Sequence, residues 1–111
     1  MKKTIFFVLS LTILSLSTSQ AAIYKGQRVF KKKCVACHDN GQNFVSKYSI
    51  EYWENIMKTD GTPLKELHTK SEKAKDSAKY FNSKSYTKKV KHLKQFLIEY
   101  AQDSGNVPAC N

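Results

Sequence analysis

Two cysteines separated by two residues and followed at once by a histidine, Cys34-Val35-Ala36-Cys37-His38, limit what this chain can become more than any other stretch of it. The chain has three cysteines, the third being Cys110, and an odd set does not make a disulfide framework. Two thiols and an imidazole so close together instead form a local site for something outside the chain, and the fold must present it. At 111 residues there is room for one small domain, and chains of this size often need a staple or a bound group to complete their core.

The N-terminus has the layout of an export signal. Met1-Lys2-Lys3 is a basic start, Ile5 to Leu16 is an apolar run interrupted only by Thr and Ser, and Ser19 and Ala21 are small residues at the positions a signal peptidase reads. The run is short for a membrane span. The expected division is therefore a signal peptide over residues 1–21 and one domain over residues 22–111, exported to the periplasm. Without Lys2 and Lys3, 17 basic side chains face nine acidic ones, a net charge of +8.

Apolar residues recur at helical rather than alternating spacing, so the fold class is all-α, with about four helices. Ile23, Gly26, Val29, Phe30 and Cys34 mark one face of a helix from about Tyr24 to Cys34, and Asp39 to Asn43 reads as a loop. Ser49 is placed to cap a second helix carrying Ile50, Trp53, Ile56 and Met57 on one face, and Thr59-Asp60-Gly61 ends it. Thr62-Pro63 reads as a cap and first helical position. The face of that third helix runs Leu64, Leu67, His68, Ser71, Ala74, Ala78 and Phe81, with a break at Asn82 to Ser85. A last helix from about Thr87 to Asp103 turns Val90, Leu93, Phe96, Leu97, Tyr100 and Ala101 inward, and Gly105 is placed to stop it.

Cys-x-x-Cys-His is the spacing of c-type haem attachment. Each thiol adds to one vinyl group of the macrocycle, and the adjacent histidine lies beneath the iron as proximal ligand. Attachment takes place outside the bacterial cytoplasm, which agrees with the export signal. A thiol–disulfide redox pair needs a βαβ surround that this helical chain does not offer. Zinc would need His68 and His92, which stand 24 positions apart, unlike common structural zinc sites. Gly26, Phe30, Cys34, Cys37 and His38 together read G-x3-F-x3-C-x2-C-H, which resembles the N-terminal helix of small class I cytochromes c. The resemblance implies one covalent haem held by Cys34, Cys37 and His38. It also implies a crossing of the first and last helices, with Leu97, Tyr100 and Ala101 as suitable partners for Gly26 and Phe30. It covers both ends of the mature chain, while residues 42–85 align only loosely.

The sixth iron ligand departs from that pattern. Class I cytochromes usually supply a methionine ahead of the last helix, and residues 80–89 contain none. Two candidates remain. His68, beside Leu64 and Leu67, is preferred as distal ligand. Met57 lies 19 residues after His38 on the face of Ile50 and Trp53, where core filler is the commoner role. Met/His ligation raises a haem's potential, and a second histidine in its place is expected to lower it.

The expected role is a carrier that exchanges electrons with partners and is not an enzyme. A haem enzyme or gas-binding sensor with an open sixth position is the alternative. Lysines before the motif, Lys31 to Lys33, would steer the chain to acidic-faced redox proteins or respiratory complexes. Nucleic acid is not an expected partner, and membrane contact is at most peripheral. Cys110 stands apart from the attachment residues, as a free or buried thiol or a link to a second chain.

Overall fold

The computed structural model describes residues 20–38 and 41–108, and among these every regular element is helical. Most of the expected export signal, the loop residues 39 and 40, and Cys110 lie outside the described residues. Helix α1 covers residues 20–33, and a short 3-10 helix follows at Gly41–Lys47. Then come α2 (Ile50–Ile56), α3 (Lys58–Thr69), a second 3-10 helix (Glu72–Ser77), α4 (Ala78–Phe81) and α5 (Lys84–Glu99). No described helix is long and apolar enough to cross a membrane.

Helix α5 is the central element. Val90, Leu93, Phe96 and Leu97 are buried along it, and it packs against α2, α3 and α4. Helix α1 crosses it at Gly26, where a methyl group would collide with the carbonyl oxygen of His92 and the Cβ of Phe96. One turn on, Phe30 packs on Phe96 with ring centres 5.5 Å apart. The first and last helices therefore meet as expected, with His92 and Phe96 nearest to Gly26. Leu97 and Ala101 are buried in the same core as Phe30, and Leu97 lines one crevice with it.

Local chemistry sets the other helix ends. Ser49 accepts a hydrogen bond from the Tyr52 amide and starts α2, as its position in the sequence suggests. Thr59, Asp60 and Gly61 all hold left-handed backbone, φ 50, 53 and 72°, so the right-handed turns of α3 resume only at Thr62. Tyr86 covers this bend, its hydroxyl donating to the Gly61 carbonyl oxygen at 2.7 Å.

Three expectations are corrected. The third helix does not run to Phe81: Ser71 is extended (φ −95°, ψ 125°), and 3-10 backbone carries the chain from there to α4. Leu67, expected inside, is 55% exposed. The last helix starts at Lys84 and ends at Glu99, because Ser83 accepts from the Tyr86 amide and caps it earlier than expected.

The crossing yields a direct test. Gly26→Val should lower the free energy of unfolding by about 3 kcal/mol, at the upper end of overpacking costs because the obstructing group is a helix backbone. Denaturant unfolding of the full chain measures it, and a change under about 0.5 kcal/mol, typical of neutral surface positions, would mean that the helices do not touch there.

Candidate haem-binding crevice

The motif lies where α1 runs out. Cys34 still donates its amide to Phe30, and the amides of Cys37 and His38 both turn back to the Cys34 carbonyl oxygen. This tight turn brings both thiols and the imidazole to the mouth of a crevice of about 190 Å³. Cys34 is half-buried and Cys37 exposed. Opposite stand Leu64 and His68 of α3 and Phe81 of α4, with Leu93 and Leu97 of α5 as the floor. The lining is mainly apolar, with Lys33, Lys73 and Asp76 among its polar groups.

The rings of the two histidines stand edge to face. Their ring centres are 6.1 Å apart, at an interplanar angle of 77°. Two imidazoles bound to opposite sides of one metal ion, with bonds of about 2 Å, hold their ring centres about 6 Å apart. The angle between the planes is no obstacle, because each ring can turn about its own metal–nitrogen axis.

Both rings are fixed from behind. His38 stacks on Phe44 at 4.0 Å and His68 on Phe81 at 4.4 Å. The Nδ1 of His68 lies 2.8 Å from the Leu64 carbonyl oxygen one helical turn earlier. A carbonyl oxygen can only accept, so Nδ1 carries the proton and the neutral ring keeps its lone pair on Nε2. A hydrogen bond of this kind fixes a histidine's orientation and tautomer, as it does in histidines that bind metals.

Met57 has a different place. It is 1% exposed, packed in the core cluster that includes Trp53, and is not among the crevice walls. His92 lines a separate groove, so it does not join His68 in a zinc site. Among the described residues no three His, Cys, Asp or Glu side chains converge to hold a bare ion. Lys73 belongs to the series of lysines expected at a basic rim, whereas Phe44, which also packs on Tyr48 and Trp53, carries no signal in the sequence beyond its closeness to the motif.

Electrostatics separates the Cys34 thiol from reactive cysteines. Burial, then the neighbouring Cys37, pushes the Cys34 thiol up to about 12. Burial, then Cys34, similarly pushes the Tyr86 phenol up to about 12. A redox or nucleophilic thiol needs the opposite, a stabilised thiolate. The two thiols, the two imidazoles and the apolar walls are groups a tetrapyrrole would use, and at about 190 Å³ the crevice would hold only part of such a ring. Comparison with protein-family models, curated proteins and solved structures finds no match.

With both thiols free, the Cys34 proton is held by the folded chain above pH 9, where the unfolded chain has released its own. Between its ordinary value of 9.0 and about 12 the folded state thus binds more protons, and stability falls as pH rises. Alkylation of the folded, cofactor-free chain at mildly alkaline pH should accordingly modify Cys37 at least tenfold faster than Cys34, with the difference lost in denaturant. Equal rates in the folded chain would refute the burial of Cys34.

Proposed function

We propose that this protein is a periplasmic electron carrier with one covalently attached c-type haem and a fold like that of class I cytochromes c. The observation that carries the reading is the pair His38 and His68, with ring centres 6.1 Å apart in one crevice, beside the two thiols of the motif. Cys34 and Cys37 would hold the macrocycle as thioethers, His38 would be the proximal ligand, and His68 would be the distal one through Nε2. When bound, such a group supplies a one-electron couple between ferric and ferrous iron.

The chain's own residues then do three things. Phe44 and Phe81 fix the planes of the two imidazoles, and Leu64 fixes the tautomer of His68. Leu93, Leu97, Trp53 and Phe30 keep water from the inner part of the crevice, and a dry, rigid surround reduces the reorganisation that accompanies a change of charge. Lys33 and Lys73 at the rim favour acidic partner surfaces for brief encounters. An open sixth position for gas or peroxide would lie on the side where the His68 ring stands, which favours the carrier over the enzyme or sensor. Two histidine ligands should give a lower potential than a Met/His pair.

The decisive measurement is the mass of the denatured exported chain: it should carry the added mass of one haem, and a chain without it would sink the proposal. For the distal ligand, His68→Ala should turn a low-spin spectrum high-spin and admit carbon monoxide to the ferrous protein. Met57→Leu should leave the spectrum unchanged and cost less than about 1.5 kcal/mol of stability, as volume-conserving core swaps do. The reverse pattern would assign the sixth position to Met57.

A further inference from the structure

A second cavity, of about 360 Å³, lies between α1 and α5. Lys25, Arg28 and Lys32 line it from one stripe of α1, with Lys33 beside them, and Lys89 and His92 line it from α5. No carboxylate lines this groove, and among the described residues the one ion pair, Lys70–Glu66, is elsewhere. Lysines on a convex helix face each find their own water. Here five permanent cations surround a concavity, where their repulsion is only partly screened.

Tyr80 forms part of the groove wall, and the Lys33 ammonium sits 5.3 Å over its ring. The Tyr80 hydroxyl is buried beside Cys34 and Tyr86 and offers the groove no donor.

We propose that the α1/α5 groove binds a small anion of the polyphosphate class, with two or more linked phosphoryl groups. The volume falls within the range of small-molecule sites, whereas an acidic protein would find a flat patch more accessible. Arg28 offers the planar fork suited to phosphoryl oxygens, and the lysines supply charge from both helices.

Calorimetric titration of the purified full chain with inorganic tripolyphosphate tests it, with a nucleoside triphosphate and a short poly-glutamate peptide run in parallel. One saturable site per chain is expected, weakening as salt is added. Arg28→Gln and Lys89→Gln should each lower the affinity roughly tenfold, as loss of a charge-assisted hydrogen bond does. Lys70→Gln, outside the groove, should leave it unaltered. Equal affinity for the two phosphate ligands means that the phosphoryl groups alone are recognised, and tighter nucleotide binding means that the rest of the nucleotide is held too; both support the proposal. Absence of saturable binding, equal loss from Lys70→Gln and Arg28→Gln, or tighter binding of poly-glutamate would overturn it. Matching unfolding midpoints keep any loss of binding separate from loss of fold.

Discussion

The close crossing of α1 over α5 is the contact on which the rest of the molecule depends. Gly26 lets the α1 backbone rest on the His92 carbonyl, and the Phe30–Phe96 contact fixes the rotation of α1 one turn later. That rotation decides where α1 ends and which way Cys34 and His38 turn. Because α2, α3 and α4 also pack on α5, the position of His68 is referred to the same helix. The 6.1 Å between His38 and His68 is thus set by two separate packings on one element, and neither histidine is near the other in sequence.

What was legible in the sequence is what depends on a few neighbouring residues. The Ser49 cap, the bend at Thr59-Asp60-Gly61 and the inward face of α5 each follow from local hydrogen bonds or from helical period. The break at Ser71 was hidden for a physical reason. Apolar and small residues continue in helical phase across it, through Ala74, Ala78 and Phe81, while the backbone leaves the helix. Leu67 went wrong with it, since a helix that stops at Thr69 has no further turns to cover that side. Tyr86 was missed because it sits in a stretch of Ser and Lys that reads as a break. Its burial comes from a long-range partner, the bent backbone at Gly61.

The candidate site divides in the same way. The motif residues can be read directly, because the spacing is itself the chemistry. The sequence already favours His68 over Met57, although both fall on apolar helical faces. Two features separate them in space: Met57 is enclosed by the core, while His68 looks into the crevice with its Nδ1 tied to Leu64. That tie is local, one helical turn, yet it has meaning only because α3 is aimed at the end of α1. A partly buried amide pair makes a comparable long-range link, Gln27 donating to Gln42 at 2.6 Å and holding α1 against the 3-10 helix that carries Phe44.

The charge distribution around Cys34 also argues for a held group over a reactive thiol. Several lysines stand within a turn or two of the motif, and a field of that sign would favour a thiolate. Burial dominates nonetheless, and the thiol is pushed up rather than down. The cations therefore act outward, on the crevice rim and the α1/α5 groove, with Lys33 bordering both. A cysteine used repeatedly for thiol–disulfide exchange could not tolerate that environment, because each cycle would require the costly anion. A cysteine converted once into a thioether has no charge to bury afterwards, and the same apolar surround then becomes part of the core.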